Sequence, residues 1–493
     1  MSKLLLKEVH TEVLPKGNSA AKWNPQKGGA DVEAEALRQE ILNAEDKLVI
    51  TGTTYYVSPN GDDSNDGKSP ENAWKTLDAV RKHEDIFEAG DGVLFERGGI
   101  WRSQITLEAT MFNPAVEKPP LPILFRAKSG MSYGAYGTGP KPAIYGSFKN
   151  YAWEECWEPT EYDNIWKVET PFADCGVIVF NHGEEAGIKR FMGHHIEKID
   201  DLKENFEFYH DFVNGILYLY LDKGCPHEVY EDIELCLRED FLFIGQEIEN
   251  VTVDNLAIKY FGHYGSQIKA KTKNIRFTNC EMGWIGGCVW VYSSYPYSPG
   301  ARLGNAIEFW DDSEDALMEY NWIYQIFDAG LSPQGISPAG HFKNMVMRKN
   351  LLEYSTYNIE FFHRTPGTDW DGYYIEDNII RFSGYGWGDQ RHTPYSTSNI
   401  CGWTFTYDVS PRIYIRNNIF DCSKYNTVFW HWADGREYPE VEISGNTFYE
   451  KDGGTGKAIH YAGNDEMTAS NQEELEAAMK AFDSNPKLIK WLP

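Results

Sequence analysis

The chain has 493 residues, with 46 Lys and Arg against 74 Asp and Glu, so its formal net charge is −28. That charge argues against non-specific binding of nucleic acids and against docking on anionic membranes, since both need a cationic face. Hydrophobic residues make up 42% of the chain, which excludes disorder throughout, and aromatic residues reach a high 15%.

The N-terminus indicates a protein without a secretory leader. It reads Met-Ser-Lys-Leu-Leu-Leu-Lys-Glu, and its apolar run of three residues is too short for a signal peptide. No apolar stretch approaches the roughly 20 residues of a membrane-spanning helix. The eight cysteines form no Cys-x-x-Cys pair, which favours buried packing over a zinc or redox site. We therefore expect a cytoplasmic protein.

Residues 1–53 are predicted to form an N-terminal extension with a capping helix. Apolar residues from Asp31 to Lys47 recur at helical spacing, with Asp31 as the N-cap. A short strand at 54–58 then enters a loop in which Asp62-x-Ser64-x-Asp66-Gly67 resembles the start of a calcium loop. The twelfth position of that loop is Ala73 and not Glu, so an Asx-turn cluster is favoured and calcium has only weak support.

The remaining chain divides into four predicted segments. Residues 54–149 form first coils, and residues 150–240 form a small β-rich insertion that lacks the repeat described next. The insertion contains strand-like segments such as Ile216–Tyr220, which follows an Asn-Gly turn. Residues 241–463 form the main coils, and residues 464–493 form a closing helix that begins with the capping box Ser470-x-x-Glu473.

A short phrase recurs from about residue 249 onward: alternating apolar and polar residues, then Asn, then another short strand. With Asn418 preferred over Asn417, the spacings between successive Asn residues are 24, 42, 29, 28, 40 and 28. The short spacings correspond to one coil, and the two long ones to a coil with a loop insertion. The Asn residues of this phrase are Asn255, Asn279, Asn321, Asn350, Asn378, Asn418 and Asn446.

This period predicts an all-β fold, a single-stranded right-handed parallel β-helix in which one core extends from coil to coil. Equivalent side chains then stack at the strand spacing of about 4.8 Å, and an Asn in each coil can bond its neighbours in a ladder. A β-propeller is the rival, but its four-stranded blades need about 40 to 50 residues, which exceeds the short coils.

Four further phrases carry a family resemblance. Tyr55-Tyr-Val-Ser-Pro-Asn-Gly-Asp-Asp-Ser-Asn-Asp-Gly67, Ala73-Trp-Lys-Thr-Leu77 and Gly90-Asp-Gly-Val-Leu-Phe95 are similar to the opening of the pectate-lyase-like right-handed β-helix superfamily. Tyr133-Gly-Ala-Tyr-Gly-Thr-Gly-Pro-Lys-Pro142 resembles a phrase of its bacterial, carbohydrate-active members. The superfamily includes lyases, hydrolases, epimerases and non-catalytic binding proteins, so the resemblance implies the fold and leaves the reaction open.

A candidate catalytic column follows from aligning the strands after each Asn. Strand alternation turns Glu308, Ser332 and Glu360 outward on one face, with the two glutamates two coils or about 9 to 10 Å apart. That is near the upper end of the roughly 6.5 to 9.5 Å separation in inverting glycosidases. Asp328, within one coil of either glutamate, is the third candidate and would suit a retaining pair.

Aromatic and polar residues around this column are of the types that bind sugars, because rings stack on C–H faces and polar groups bond hydroxyls. For any single ring, packing against loops is the alternative. The candidate substrate-binding residues are Trp310, Asp311, Gln334, His363, Arg364, Asp371, Trp387, Asp389, Arg391, His392 and Trp430. Asp311 and Asp312 form a pair of adjacent aspartates that resembles the one in polygalacturonase-type hydrolases. The other elements of that pattern, Gly-His-Gly and Arg-Ile-Lys, are missing, so the mechanism of that family is not carried over.

These features support three hypotheses. The first is a glycoside hydrolase that acts on a neutral or weakly charged glycan with a pair of carboxylates and no cofactor. The second is a polysaccharide lyase, whose uronate substrates a chain of −28 would repel unless calcium or a basic groove intervened. The third is a glycan-binding β-helix without activity. The expected partner is in each case a carbohydrate, and the oligomeric state is left open.

Overall fold

The computed structural model describes residues 24–104, 122–153, 155–171, 173–289, 302–335, 340–363, 369–391, 395–403, 412–430, 440–451, 457–461 and 466–493. Within these ranges the chain winds through three long sheets, contributing in general one strand to each sheet per coil. Strands pair in parallel with the equivalent strands of the coils before and after them, which is a parallel β-helix. The fold class predicted from the repeat, and implied by the superfamily resemblance, is confirmed.

The first sheet has eleven described strands. They are Thr54–Val57, Gly92–Glu96, Ser132–Tyr136, Glu249–Asp254, Thr272–Thr278, Asp312–Glu314, Leu317–Glu319, His341–Arg348, Asp369–Glu376, Arg412–Arg416 and Val441–Ser444. The second sheet has ten. They are Ile100–Arg102, Ala143–Tyr145, Ala257–Lys259, Glu281–Ile285, Trp322–Ile326, Leu351–Glu353, Ile379–Ser383, Ile419–Ser423, Thr447–Lys451 and Leu488–Leu492.

The third sheet carries the candidate site and also has ten described strands, the last of them antiparallel to its neighbour. They are Ile123–Ala127, Asp240–Ile244, Ser266–Ile268, Ile307–Trp310, Ala329–Gly335, Tyr357–His363, Ser398–Trp403, Asn426–Trp430, Lys457–Tyr461 and Glu466–Ala469. Inward residues of all three sheets form one continuous apolar core. That core supplies the burial that holds coil on coil.

The asparagine ladder runs from Asn321 through Asn350, Asn378 and Asn418 to Asn446, all fully buried. Each side-chain oxygen accepts from the backbone N–H and the side-chain amide of the preceding member, at 2.8 to 3.0 Å. The ladder therefore satisfies polar groups that the coil turn would otherwise bury without partners.

The prediction that Asn255 and Asn279 belong to this ladder is wrong. The strand register places Cys280, not Asn279, opposite Asn321, since Glu281 pairs with Trp322. Asn255 and Asn279 occupy the preceding turn position, where φ is 63° and 53°. Asn tolerates this left-handed conformation better than most residues, which explains why the same residue type appears at both positions.

Residues 158–237 form two small sheets that are separate from the three long ones. A three-stranded antiparallel sheet contains Glu185–Ala186, Cys175–Phe180 and Ile233–Leu237, and a five-stranded sheet contains Ile188–Lys189, Glu207–Asp211, Ile216–Tyr220, Ile165–Glu169 and Glu158–Pro159. A separate apolar cluster lies between them. A two-stranded ribbon, Cys288–Val289 with Arg302–Leu303, lies in the main coils.

Four α-helices occur in the described residues: Asp31–Leu42, Leu77–Lys82, Pro226–Val229 and Gln472–Phe482. Short 3-10 helices span Pro70–Asn72, Glu84–Ile86, Asn181–Gly183, Ile199–Asp201 and Trp387–Arg391. The N-terminal helix begins one residue after its N-cap Ala30, rather than being capped by Asp31 as predicted. It packs beside the second sheet, where Ala34 and Ile41 join a cluster with Trp322 and Leu351.

The C-terminal helix covers the end of the core, because Leu475, Met479 and Phe482 belong to the main apolar cluster. Its N-cap is Asn471, whose side chain accepts from the backbone of Glu474 at 3.0 Å. The capping interaction thus lies one residue after the predicted Ser470-x-x-Glu473 box. A side chain can cap only where its own backbone is still extended, and that residue is Asn471.

The loop that resembles a calcium loop is held by its own side chains. Asp62 accepts from the backbone and hydroxyl of Ser64 at 2.8 and 2.7 Å, which is the predicted Asx turn. In the described ranges, no group of three or more His, Cys, Asp or Glu side chains is arranged to hold a metal ion. In the same part of the chain, no helix is long and apolar enough to cross a membrane.

Candidate active site

The expected column of side chains lies on the third sheet. Glu308 pairs in register with Ser332, and Leu331 pairs with Ile359, so Glu360 follows Ser332 on the next coil. Two strand spacings separate the backbones of Glu308 and Glu360, or about 9 to 10 Å. The column is covered by protein: Glu308 is 1% exposed and Glu360 is 6% exposed. Burial in this setting disfavours the charged form of a carboxyl group.

Glu360 accepts three hydrogen bonds from neighbouring side chains. Ser332 donates to its Oε2 at 2.9 Å, Gln334 donates to the same atom at 3.3 Å, and the Trp403 indole donates to Oε1 at 2.9 Å. Burial, and then the charge of Asp328, raise the pKa of Glu360 to about 7. Its carboxyl group is therefore poised between its two protonation states near neutral pH.

Glu308 is in a drier environment with fewer donors. Asn305 donates to its Oε1 at 3.2 Å, and its Oε2 has no hydrogen-bond partner among the described residues. Burial raises the pKa of Glu308 well above the usual value, and the charges of Asp240 and Asp328 act in the same direction. Burial therefore favours the protonated form of Glu308, which is the form that a general acid needs.

Two residues oppose this shift in part, namely Trp310 at the end of the Glu308 strand and Lys269 directly after the neighbouring strand Ser266–Ile268. The side chain of Trp310 and the ammonium group of Lys269 both act to lower the pKa of Glu308. Lys269 lies over the Trp310 ring, 5.3 Å from its centroid. This pair forms one polar edge of the column.

Asp328 lies at the turn that enters the middle strand and is buried. The Arg391 guanidinium donates to Asp328 Oδ1 in direct contact. Burial raises the pKa of Asp328, and the charge and hydrogen bond of Arg391 oppose that rise. Three buried carboxyl groups thus differ in proton affinity: Glu308 is shifted furthest, Glu360 titrates near 7, and Asp328 has a cation against it.

A fourth acidic residue extends the site toward the N-terminal coils. Asp240 Oδ1 lies 2.7 Å from His263 Nδ1, and both side chains are fully buried. Burial, followed by the charges of Glu308, Asp240, Asp328 and Glu360, raises the pKa of the Tyr264 phenol well above its usual value. These four carboxyl groups therefore lie around one tyrosine, which joins them in a single electrostatic cluster.

The structure brings several of the predicted substrate-binding residues to this cluster. Arg391 and Gln334 contact the carboxylates directly. Trp310 is in register with Gln334, and the backbone N–H of Asp311 donates to the Gln334 carbonyl at 2.7 Å. The strand register places the backbone of His363 beside Gly335.

Other predicted residues lie elsewhere or are engaged in packing. Asp371 is on the first sheet, in an ion pair with Arg412, and so does not face the column. Trp387 is fully buried, with its ring 4.9 Å from that of Phe327, so neither ring face is open for a sugar. Asp389 is paired with Lys424 at 2.5 Å.

Some of the predicted site lies outside what can be described. Arg364 and His392 fall outside the described residues, and the side chains of His363 and Trp430 do as well. The backbone of Trp430 pairs with Gly402, one position beyond the column. Their proposed contacts with substrate stay predictions.

Sequence reasoning did not identify Asp240, His263, Tyr264, Asn305 or Trp403 as site residues. A usable signal existed for Trp403, because it follows Cys401 by two positions and Cys401 continues the column after Glu360. Asp240 is the first residue of its strand and His263 lies before the next strand of the sheet, and side-chain alternation does not predict where residues at such coil corners point.

A pocket of about 230 Å³ lies on the insertion, away from the carboxylates. Its lining consists of Pro159, Thr160, Glu161, Tyr162, Lys167, Ile199 and Tyr218. Its only acidic group, Glu161, is exposed to solvent, whereas the carboxyl groups of the column are buried. We therefore place the candidate site at the column.

No protein-family model matches this chain, and no curated protein matches it significantly. Solved structures with similar backbones include a glycoside hydrolase at 9% identity and TM-score 0.45, over 89% of this chain and 96% of that one. A rhamnogalacturonan lyase aligns at 12% identity and TM-score 0.34, over 82% and 75% of the chains. A lacto-N-biosidase from Eubacterium ramulus aligns at 13% identity and TM-score 0.34, over 88% and 69%. At these scores the function of the chain must be argued from its own side chains.

Proposed function

We propose that this protein is a glycoside hydrolase that cleaves a neutral or weakly charged glycan with Glu308 and Glu360. The observation that carries the proposal is the pair of buried carboxyl groups in one column, in which burial raises the pKa of Glu308 well above its usual value and the pKa of Glu360 to about 7. Paired carboxyl groups whose environments separate their pKa values are the arrangement that acid–base hydrolysis requires.

In this proposal Glu308 protonates the leaving glycosidic oxygen, and Glu360 removes a proton from the attacking water. The proton that Glu308 loses goes to the leaving alcohol, and the hydroxyl of the water bonds to the anomeric carbon. The separation of about two strand spacings leaves room for that water and favours inversion. Asp328 holds negative charge beside both groups and is the third catalytic candidate.

The charge of the cluster supports the choice of a neutral substrate. Four carboxyl groups share the site with two cationic side chains, Arg391 and Lys269, and Arg391 is already in contact with a carboxylate. A uronate-rich polymer would add negative charge to this cluster and be repelled. Since the carboxyl groups are covered, a substrate must also displace the groups above them. A chain end enters such a site more readily than the middle of a polymer.

The test is turnover of neutral oligosaccharides and aryl glycosides, followed by the appearance of new reducing ends. Glu308→Gln and Glu360→Gln should each lower turnover by about 10²–10⁴-fold, because each removes one proton-transfer group. Glu319→Gln, on the first sheet, is the matched control and should retain wild-type turnover. Wild-type turnover in both column variants would contradict the proposal.

A polysaccharide lyase is the second candidate. It would draw on Arg391 or Lys269 as the base that removes a proton beside a uronate carboxylate. The contact of Arg391 with Asp328 disfavours this, because a carboxylate partner keeps the guanidinium protonated. A product that absorbs ultraviolet light through a new C=C bond, formed in step with the new reducing ends, would favour the lyase, whereas new reducing ends without that absorbance would favour the hydrolase.

A further inference from the structure

The short helix Trp387–Arg391 carries Arg391, whose guanidinium contacts Asp328, and the helix is bonded to the rest of the protein on two sides. On the solenoid side, the Trp387 indole donates to the Gln325 carbonyl at 2.8 Å, and the Trp387 backbone N–H donates to Gln325 Oε1 at 3.1 Å. At Gly388, an added Cβ would lie 2.7 Å from the Phe327 carbonyl oxygen. The helix therefore lies directly against the chain that leads into Asp328.

On the other side, Gln390 joins this helix to the insertion. Its Nε2 donates to the Gly187 carbonyl at 2.8 Å, and the backbone N–H of Lys189 donates to its Oε1 at 3.2 Å. Both partners belong to the segment around the strand Ile188–Lys189. One amide side chain thus spans from the insertion to the residue that precedes Arg391.

The attachment point on the insertion is itself fixed. Lys189 Nζ donates to both carboxylate oxygens of Asp174, at 2.6 and 2.7 Å, and to the Cys175 carbonyl at 2.7 Å. Asp174 also accepts from the backbone of Val289, on the two-stranded ribbon of the main coils, at 2.8 Å. The Lys189 and Asp174 side chains are fully buried, so Gln390 is bonded to a rigid part of the interface.

We propose that Gln390 is a positioning residue through which the insertion holds the Arg391 guanidinium against Asp328 beside the catalytic pair. The inference rests on the proposed function, and it gives the insertion a role in the reaction. Without the two Gln390 bonds, Arg391 loses the fixed point next to it in the chain. The guanidinium then stays on Asp328 for a smaller fraction of the time.

The expected consequence is a change in the proton affinity of Glu360. The groups around Glu360 are its donors Ser332, Gln334 and Trp403, the charges of Asp328 and Arg391, and the nearby groups Tyr264, Tyr357 and Cys401. Of these, Arg391 is the cation that favours the ionised form. A less closely held Arg391 should therefore raise the pKa of Glu360 above about 7.

The experiment uses Gln390→Met, which keeps the side-chain length and removes both hydrogen bonds. Protonation of Glu360 is followed by infrared titration of the carboxyl C=O stretch, with the band identified by its loss in Glu360→Gln. We expect the midpoint to rise by about one pH unit, a tenfold change in proton affinity, and the acid limb of the turnover profile to move with it.

Gln472→Met is the matched control. Gln472 also donates to one backbone carbonyl, that of Ile489 at 3.1 Å, and accepts from one backbone N–H, that of Trp491 at 2.6 Å, but at the C-terminal cap. In Gln472→Met, the titration midpoint of Glu360 and the pH profile of turnover should equal those of the wild type. If Gln390→Met does not fold, Gln390→Asn has the same expectation, because the shorter amide cannot reach both partners.

The outcomes separate the two proposals. A folded Gln390 variant with the wild-type midpoint overturns the positioning role, whatever the protein hydrolyses. A shifted midpoint in a protein whose column variants retain full turnover supports the positioning of Arg391 and overturns the proposed catalytic pair. Only a shifted midpoint together with a shifted acid limb supports both.

Discussion

Replacing Glu360 with Gln should stabilise the protein at alkaline pH while it abolishes turnover. Burial holds the pKa of Glu360 at about 7 in the folded protein, against a usual value of 4.5. The folded state therefore binds this proton more tightly than the unfolded state, and stability is lost as the pH rises from about 4.5 through about 7. Each unit of pKa difference is worth about 1.4 kcal/mol, so Glu360 destabilises the fold by about 3 kcal/mol at about pH 8.

The stability gained in Glu360→Gln is smaller than this value of about 3 kcal/mol, because the amide NH2 donates where a carboxylate oxygen accepts. The Gln carbonyl can retain the Trp403 bond, and the amide NH2 then faces Ser332 and Gln334. The Ser332 hydroxyl can turn to accept, whereas the Gln334 amide cannot. One lost hydrogen bond costs about 1 kcal/mol, which leaves a net stabilisation of about 2 kcal/mol at about pH 8.

The assay is urea unfolding at about pH 5 and about pH 8, with equal slopes required before free energies are compared. At about pH 5 the native Glu360 is almost fully protonated, and we expect a difference of less than about 1 kcal/mol between variant and wild type. Glu353→Gln is the contrasting control. Glu353 is just as buried but accepts from Arg38 and Trp322, both at 2.8 Å.

Glu353→Gln leaves the Arg38 cation with a neutral partner and should lower stability at both pH values. If the two variants change the free energy of unfolding at about pH 8 in opposite directions, the Glu360 carboxylate is destabilised by its surroundings, whereas the Glu353 carboxylate is stabilised by its donors. If Glu360→Gln destabilises the protein at about pH 8 as Glu353→Gln does, the carboxylate is stabilised by its donors and the reasoning is refuted.

Two further predictions concern the cation and the ladder. Arg391→Gln should raise the pKa of Glu360 and move the acid limb of the turnover profile up by about 1 to 2 units, since a cation that favours ionisation is removed; an unmoved limb would exclude this coupling. Asn378→Ala should lower the free energy of unfolding by about 3 to 5 kcal/mol, because it breaks three bonds to the preceding coil and one to the following coil, and chemical denaturation checks this. Alanine at the exposed Asn214, which makes one side-chain bond to Asp211 at 2.7 Å, should cost less than about 1 kcal/mol.

The site could be predicted from the sequence only in part. The positions of Glu308, Ser332 and Glu360 on equivalent strands were sufficient to predict that these residues form a column, because the strand register of a solenoid makes equivalent residues neighbours. Arg391 was named as a binding residue, but its contact with Asp328 arises from a turn that bridges two coils and the insertion. Nothing in the local pattern encodes that bridge.

The ladder shows the same limit at the level of single residues. The repeat identified an Asn in each coil, yet it did not separate the ladder position from the turn position one residue earlier. Asn255 and Asn279 satisfy the turn, and Asn321 onward satisfies the ladder. Both positions favour Asn for different reasons, one a left-handed backbone and the other a buried amide, so composition alone does not distinguish them.

The sequence by itself determined the coil length, the parallel stacking, the interrupted segment at 150–240 and the column of outward carboxyl groups. These follow from periodicity, and periodicity acts between residues a fixed number of positions apart. The tertiary structure decided which carboxyl groups are buried away from water, which cation contacts them and which tryptophan donates a hydrogen bond to Glu360. Proton affinity depends on desolvation and on nearby charges, and in this chain those charges come from distant parts of the sequence, such as Arg391 and Asp328, which are 63 residues apart.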